Sequence, residues 1–329
     1  MRRRAWIAAV FGLVALLLVV AAGTFSLFDL YTRQGPLAVA TTVIVAKGAT
    51  AAEIASALYS AGVIPSPLMF RLAVRLHDDP LQAGEYRFPA HGSLRDTLAV
   101  VREGDTVKRR ITVPEGLTSR QVLELLNDAE GLTGEVVAPP VEGALLPETY
   151  NYAWGDARAD LVRRMSQAMG ATLDELWAAR DPAVPLASPR EAVILASIVE
   201  KETGVADERP RVAAVFLNRI RLGMKLQADP TVAYAVHGGS GLGPPLTLTD
   251  LQYASPYNTY AVSGLPPGPI ANPGRAALAA VLQPVHSDEL YFVADGNGGH
   301  AFARTLEEHQ RNVARWRKLG ERGERTGVN

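Results

Sequence analysis

The N-terminus of the chain carries the pattern that most constrains what it can fold into. Three consecutive arginines, residues 2–4, precede an uncharged and mostly apolar segment over residues 5–28. A helix needs about 20 apolar residues to cross a bilayer core. The alternative is a cleaved signal peptide, whose apolar region is only about 7–15 residues long. The length of the segment therefore predicts a single transmembrane anchor.

The charges beside this segment predict its orientation. Arginine and lysine are enriched on the cytoplasmic side of membrane helices, and here the arginines precede the segment while Asp29 follows it. We expect residues 1–4 to be cytoplasmic and residues 5–28 to cross the inner (cytoplasmic) membrane once. The rest of the chain would be periplasmic or otherwise extracytoplasmic, and this one helix would be its contact with the lipid bilayer.

The composition excludes several classes of function. The chain has 329 residues, no cysteine and a formal net charge of −1. Disulfides, thiolate metal sites and a cysteine nucleophile are therefore excluded. Nucleic acid is not expected as a partner, because no excess of basic residues is present to neutralise phosphates. The histidines show no metal-ligand spacing, so neither a metal nor another cofactor is expected. His300 follows the expected hairpin turn, and for it a structural role is favoured over a place in the cleft wall.

Two segments in the first half share one pattern. Residues 43–58 and 111–126 each predict a short strand, a glycine-containing turn, a threonine near a helix N-terminus and an amphipathic helix. Another strand and helix are expected between them, over residues 84–104. This arrangement resembles the LysM module, which binds glycans that contain N-acetylglucosamine. The expected fold class is α+β, with a LysM-like domain over residues 37–135 and a mainly helical domain with a small β-hairpin after it.

The second half contains the stretch SPREAVILASIVEKETG, which predicts a buried helix. Ser188 and Glu191 form a capping-box pattern at its start, and Gly204 is expected to end it. The residues between are apolar on nearly every side, which is typical of a helix inside a core.

The charged end of this helix offers a candidate acid. At about 100° per residue, Glu200 shares a face with Val193 and Ala196, and apolar surroundings raise the pKa of a carboxyl group. A carboxyl group that stays protonated near neutral pH suits general acid catalysis. Lys201 and Glu202 point elsewhere, so Glu202 is a poor candidate for a paired carboxylate. From this helix alone, a structural role for Glu200 is equally acceptable.

The chain after this helix is rich in loops. An amphipathic helix is expected over residues 208–222, followed by a segment rich in Gly, Pro, Tyr and Asn over residues 238–274. Aromatic faces and amides suit sugar binding, so this segment predicts the wall of a cleft. A hairpin over residues 290–303 and a helix begun by the capping box of Thr305 and Glu308 complete the pattern.

Three separated segments of this half resemble the endolytic murein transglycosylases of the YceG-like (MltG) family. The segments are LASIVEKETGVADERPRVAAVFLNRIRLGMKLQADPTVAYAV, ASPYNTYAVSGLPPGPIANPG and LYFVADGNGGHAF. Their order and separation make the resemblance specific. It implies a catalytic domain over residues 140–320 and a C-terminal tail over residues 321–329.

The resemblance implies a lytic transglycosylase that cleaves the bond between N-acetylmuramic acid and N-acetylglucosamine within nascent peptidoglycan strands and so ends their elongation. Glu200 would be the catalytic acid, and the product would carry a 1,6-anhydro ring. Peptidoglycan strands and peptidoglycan synthases are the implied partners. The candidate substrate-binding residues, which match the family's motif segments, are Gln227, Asp229, Tyr257, Asn258 and Tyr260.

Two other functions are compatible with the same residues. One is a membrane-tethered, LysM-like glycan-binding scaffold in which Glu200 is structural. The other is a muramidase-type hydrolase, which needs a second carboxylate about 5–9.5 Å from the first.

Overall fold

The computed structural model describes residues 2–77, 80–239 and 244–326. Helices and small two-stranded sheets alternate along the chain. The chain forms two compact units. The first unit comprises residues 1–109, 130–132 and 151–156, and the second comprises residues 110–129, 133–150 and 157–329.

The first unit begins with a long apolar helix. The elements up to residue 103 are α1 (Arg2–Thr32), β1 (Thr41–Val45), α2 (Ala51–Ser60), α3 (Pro67–His77), β2 (Gly84–Phe88) and α4 (Leu94–Glu103). Within α1, the segment Val10–Thr32 has 23 residues and a mean hydropathy of 2.5, so it is long and apolar enough to cross a membrane. None of it is buried inside the protein. Length and composition of this kind suit both a membrane anchor and a signal sequence.

The other elements of the first unit pack around one core. Strands β1 and β2 pair antiparallel, with Thr41 opposite Phe88. The predicted threonine cap is present: the Thr50 hydroxyl accepts a hydrogen bond from the backbone N–H of Glu53, and the Glu53 carboxylate accepts one from Thr50 in return. The largest fully buried side chains of this core are Leu58, Ile64, Phe70, Tyr86, Phe88, Leu94 and Leu98. The mixed helix and strand content agrees with the α+β class, whereas the LysM-like character of this unit stays a prediction.

The remaining elements follow in chain order. They are β3 (Arg109–Thr112), α5 (Ser119–Asp128), β4 (Thr149–Tyr152), α6 (Arg158–Ala178), α7 (Pro189–Glu202), α8 (Arg209–Arg221), α9 (Asp229–His237), α10 (Arg275–Leu282), β5 (Tyr291–Ala294), β6 (His300–Ala303) and α11 (Leu306–Thr326). The sheets pair β1 with β2, β3 with β4 and β5 with β6.

Helix α7 is the central helix of the second unit. Eight consecutive residues, 192–199, are buried, because α6, α8 and α10 pack around the helix. The predicted N-cap is present, since the Ser188 hydroxyl accepts a hydrogen bond from the N–H of Glu191 at 3.3 Å. The expected capping box is wrong, because it requires the Glu191 carboxylate to accept the N–H of Ser188. The carboxylate instead accepts the N–H of the preceding residue, Ala187, at 2.7 Å.

The end of α7 also differs from the prediction. The helix stops at Glu202, and Thr203 follows with extended backbone, at φ −139°. The Thr203 hydroxyl accepts a hydrogen bond from the N–H of Val205 at 3.0 Å, which fixes the turn. The helix is therefore ended by a threonine before Gly204 is reached.

The C-terminal part contains the expected hairpin and helix. Strands β5 and β6 pair antiparallel, with Phe292 opposite Phe302. Helix α11 packs on both strands. Its predicted cap is confirmed, since the N–H of Glu308 donates to the Thr305 hydroxyl at 3.2 Å.

Candidate active site

The second unit contains an open cavity of about 480 Å³ at the C-terminal end of α7. One wall comes from α8 and the loop that leads into α9, another from the β5–β6 hairpin, and a third from one face of α11. The charged and polar side chains that line it are Glu202, Arg219, Gln227, Asp229, His300 and His309. A mostly apolar cavity with a few convergent polar groups is the usual form of a ligand site.

Three of the five predicted binding residues lie together in this cavity. Gln227, Asp229 and Tyr260 all line it. The Tyr260 hydroxyl donates a hydrogen bond to Oδ1 of Asp229 at 2.6 Å. Burial and this hydrogen bond raise the pKa of Tyr260. Gln227 has a left-handed backbone, at φ +51°, which is uncommon for a residue other than glycine.

The other two predicted binding residues lie outside the cavity. Asn258 is completely buried; its amide donates to two backbone carbonyls at 3.0 and 2.8 Å, and its Oδ1 accepts from the N–H of Tyr260 at 2.9 Å. Asn258 therefore shapes the turn that presents Tyr260. Tyr257 packs its ring on that of Tyr234, with the ring centroids 5.0 Å apart.

The predicted acid, Glu200, is held by neighbours other than the cavity residues. Its side chain is 5% exposed. Oε2 accepts the N–H of Gly274 at 2.9 Å, and Oε1 lies 3.4 Å from Nη2 of Arg209, which is also 3.6 Å from Glu115. Burial raises the pKa of Glu200, the hydrogen bond from Gly274 lowers it, and the charge of Glu115 raises it further. Glu200 is thus a buried carboxyl group at the start of α10, and it is not among the residues that line the cavity.

The carboxyl group that lines the cavity from α7 belongs to Glu202. Burial raises its pKa to about 8, the charge of Asp229 adds to this effect, and the charge of Arg219 opposes it. Two residues along a helix are about 200° apart, so Glu200 and Glu202 face nearly opposite sides of α7. The helix repeat therefore separates the two carboxyl groups, as predicted. The burial of Glu202, on the other side of α7, was not predicted.

Arg219 supplies a fixed positive charge to the same cavity. Its Nε donates to the carbonyl of Leu290 at 2.7 Å and its Nη1 to the carbonyl of Leu226 at 2.5 Å. The side chain is buried, which lowers its pKa. The guanidinium is therefore oriented by two backbone carbonyls, one seven and one 71 residues along the chain.

His300 also lines the cavity, which was the less favoured of its two predicted roles. Glu208 holds it by two atoms: Oε1 accepts the backbone N–H of His300 at 2.9 Å, and Oε2 lies 2.7 Å from ring Nδ1. A carboxylate only accepts hydrogen bonds, so we assign the proton of the neutral ring to Nδ1. The ring is therefore fixed in one orientation against Phe292, at a centroid distance of 5.4 Å. The glycine-rich turn before His300 was the signal available in the sequence.

Aromatic and apolar side chains complete the cavity. Helix α11 contributes one face, whose members are Leu306, His309, Val313 and Trp316. Their spacing of three and four residues places them in one line along the helix. Tyr291 and Phe292 come from β5, and the His309 ring stacks on Tyr291 at 5.2 Å. The capping box at Thr305 predicted the start of α11, but nothing local in the sequence connected this helix with Glu202.

The structure holds no candidate metal centre within the residues that it describes. No group of three or more His, Asp or Glu side chains there is arranged to hold a metal ion.

The fold and the cavity together define a mixed helix and strand protein with a buried carboxyl group in an aromatic-walled site. Residues 43–315 match the model of the YceG-like family. The chain therefore belongs to the YceG-like family, and the resemblance seen in the sequence motifs is confirmed.

Known relatives agree with this assignment. The chain is 31% identical over 298 residues to the endolytic murein transglycosylase of Bacillus subtilis strain 168, covering 80% of this chain and 81% of the relative. It is 29% identical to the endolytic murein transglycosylase of Streptococcus pneumoniae serotype 2 strain D39, covering 83% of this chain and 58% of the relative. The 2.6 Å crystal structure of the yceG-like protein lmo1499 from Listeria monocytogenes has a TM-score of 0.53 and 29% identity, covering 83% of this chain and 98% of that one.

Proposed function

We propose that the chain is an endolytic murein transglycosylase, a lytic enzyme that cleaves peptidoglycan glycan strands. The relatives that match over most of the chain carry this name. The structural observation that carries the proposal is the position of Glu202, whose pKa is raised to about 8 in the cavity that also holds Asp229 and Tyr260. A carboxyl group with such a pKa is protonated at neutral pH and is ready to act as a general acid.

The proposed reaction needs one acid that later acts as a base. The carboxyl group of Glu202 donates its proton to the oxygen of the glycosidic bond, and the bond from that oxygen to C1 of N-acetylmuramic acid breaks. The carboxylate then accepts the proton of the C6 hydroxyl group, whose oxygen attacks C1 and closes the 1,6-anhydro ring. Glu202 ends the cycle protonated, and no water is consumed.

The groups around Glu202 suit this cycle. Burial, and after it the charge of Asp229, raises the pKa of Glu202 and so keeps it protonated before the reaction. A negative charge in the same cavity also favours the positive charge that develops at C1. Tyr260 holds Asp229 by a hydrogen bond of 2.6 Å. Gln227 offers an amide for sugar hydroxyl groups, and Trp316 offers a partly exposed ring.

This proposal gives the acid role to Glu202, whereas the sequence analysis predicted Glu200. Glu200 is bonded to Gly274 and Arg209, away from the residues that line the cavity. A carboxyl group engaged by a backbone N–H and an arginine is suited to holding the start of α10 in place. Glu200 therefore remains the alternative acid, and the experiment must distinguish it from Glu202.

The experiment digests purified peptidoglycan with the full-length protein and with two matched variants, Glu202→Gln and Glu200→Gln, and identifies the products by mass spectrometry. We expect 1,6-anhydro ends from the wild type, their loss in Glu202→Gln, and their retention in Glu200→Gln. The reverse pattern of the two variants would return the acid role to Glu200. If correctly folded wild-type protein leaves the glycan strands intact, the proposed enzymatic activity is contradicted and the glycan-binding scaffold is favoured.

A hydrolase is the second candidate, and one observation favours it. Asp229 places a second carboxylate in the cavity of Glu202, and glycoside hydrolases commonly use a pair of carboxylates. The same digestion separates the two reactions, because a hydrolase releases reducing ends that incorporate oxygen from labelled water. A transglycosylase incorporates none.

The proposal extends to the setting of the enzyme. Helix α1 anchors the protein in the inner membrane with its N-terminus in the cytoplasm, and the enzyme ends nascent strands beside peptidoglycan synthases. The apolar length of α1 supports the membrane anchor. Protease accessibility of the C-terminal part in spheroplasts tests the orientation.

A further inference from the structure

Helix α3 of the first unit has an apolar face that is exposed. Leu68, Leu72 and Leu76 are spaced by four residues and are 71%, 43% and 76% exposed. The opposite face of the same helix is buried through Phe70 and Ala73. A line of exposed leucines on a helix that is already packed on its other side marks a surface for a further partner.

Positive charges flank this line of leucines. Arg71 and Arg75 each precede one of the leucines by one position, and both are exposed. An exposed helix face that combines leucines with arginines is typical of helices that lie in the interface of an anionic bilayer. Guanidinium groups bind phosphate oxygens with good geometry.

The position of α3 within the unit identifies the partner. The hydroxyl group of Tyr31, in the last turn of α1, lies 3.4 Å from Nε2 of His77, the last residue of α3. The two rings stack with their centroids 6.4 Å apart. The C-terminal end of α3 therefore touches the end of the helix that is suited to crossing a membrane.

The end of α1 near this contact also carries exposed apolar side chains. Phe25 and Phe28 are exposed near its C-terminal end. Tyrosine is enriched at the level of lipid headgroups. If α1 spans the bilayer, Tyr31 and therefore His77 lie at the membrane surface, within a few turns of the three leucines.

We propose that the face of α3 formed by Leu68, Leu72 and Leu76 lies in the headgroup region of the bilayer that α1 crosses, with Arg71 and Arg75 on lipid phosphates. The proposal rests on the membrane anchoring given under the proposed function. The first unit would then contact the membrane through two helices, α1 across the bilayer and α3 along its surface. The unit is thereby held in a fixed orientation at the bilayer.

The test uses single-cysteine variants of the full-length protein, which need no prior removal of native cysteines because the chain has none. Leu72→Cys and Leu76→Cys carry an environment-sensitive fluorophore, and the protein is reconstituted in vesicles of phosphatidylethanolamine and phosphatidylglycerol. Quenching by lipids that carry a spin label near the headgroup reports contact with the bilayer. Phe25→Cys reports on α1, and Lys47→Cys, an exposed site in the turn between β1 and α2, is the control for the rest of the unit.

We expect blue-shifted emission and loss of emission on spin-label quenching for the labels at positions 25, 72 and 76, and neither effect at position 47. Quenching at position 25 without quenching at positions 72 and 76 would overturn the surface contact and leave the anchor intact. Absence of quenching at position 25 would overturn the anchor and the surface contact together. A blue shift at positions 72 and 76 that lipids do not quench would indicate a protein partner or a second copy, and would also overturn the proposal.

Discussion

The hydroxyl group of Tyr260 lies 2.6 Å from Oδ1 of Asp229. This hydrogen bond joins the loop-rich segment to the first residue of α9, two parts of the chain that are 31 residues apart. Asp229 in turn raises the pKa of Glu202 through its charge. The tyrosine therefore acts on the proposed acid through the carboxylate between them.

Tyr260→Phe is expected to lower the rate of glycan cleavage. A hydrogen bond to a charged group contributes about 1.5–3 kcal/mol. The expected loss in kcat/KM is therefore roughly 10- to 100-fold, at about 1.4 kcal/mol for each tenfold step. Tyr257→Phe is the matched control, because the structure places that hydroxyl outside the cavity while the sequence pattern predicted both tyrosines as binding residues. Equal losses in the two variants would contradict the assignment of the cavity.

The pH dependence of activity should report Glu202. A general acid works only while it is protonated, so kcat/KM should fall as the pH rises through the raised pKa of Glu202, about 8. The measurement is the initial rate of anhydro product formation at low substrate concentration over a range of pH. A profile that stays flat well above pH 8 would contradict the role of Glu202.

Glu202→Gln is expected to stabilise the protein at alkaline pH. The folded-state pKa of about 8 lies above the ordinary value of 4.5, so between these values the folded protein binds more protons than the unfolded chain. Stability of the wild type is therefore lost as the pH rises through this window, and the glutamine variant avoids the loss. At about 1.4 kcal/mol per pKa unit, the advantage at pH 8 should be on the order of 1–4 kcal/mol. Urea denaturation at pH 5 and pH 8 measures it, and an equal difference at both pH values would contradict the burial of Glu202.

Ser197→Ala is expected to destabilise the second unit. The Ser197 hydroxyl is completely buried, donates to the carbonyl of Ile194 at 2.7 Å and accepts the N–H of Ile270 at 3.0 Å. Its removal leaves a buried N–H group without this partner, which costs about 1–3 kcal/mol. The matched control is Ser166→Ala on the exposed side of α6, where a change within about 0.5 kcal/mol is expected. Chemical denaturation measures both, and similar effects would argue against the contact between α7 and the segment before α10.

Glu208→Ala is expected to loosen the hairpin around His300. The carboxylate of Glu208 binds both the backbone N–H and the ring of His300, so two hydrogen bonds are lost together. The amide hydrogen of His300 should exchange faster than in the wild type, and cleavage activity should fall because the ring is no longer oriented in the cavity. The control is Glu307→Ala, which removes an exposed ion pair with Arg311. Unchanged exchange at His300 would contradict the orienting role of Glu208.

Local patterns in the sequence predicted the elements of this fold well. The apolar length of α1, the caps at Thr50, Ser188 and Thr305, and the β5–β6 hairpin all depend on residues close together in the chain. Helical periodicity also predicted that α7 is buried. The end of α7 was missed because Thr203 stops the helix through its own side chain, before the glycine that the pattern favoured.

The candidate site was predictable only in part, for a geometric reason. The sequence placed Gln227, Asp229 and Tyr260 in one group through the family's motifs, and the structure brings these three side chains together. It gave no indication that Asn258 is used by the backbone of its own turn, or that α11 forms a wall of the cavity. Both depend on how segments fold against each other.

The sequence by itself determined that a buried helix ends in two carboxyl groups on nearly opposite sides, because the helix repeat fixes the angle between Glu200 and Glu202. Only the tertiary structure decided what each side meets. The backbone N–H of Gly274, 74 residues along the chain, donates a hydrogen bond to a carboxylate oxygen of Glu200. Asp229 and Tyr260 instead share a cavity with Glu202. Desolvation and the charge of a neighbour set the pKa of a carboxyl group, and both arise from contacts between residues that the chain order does not bring together.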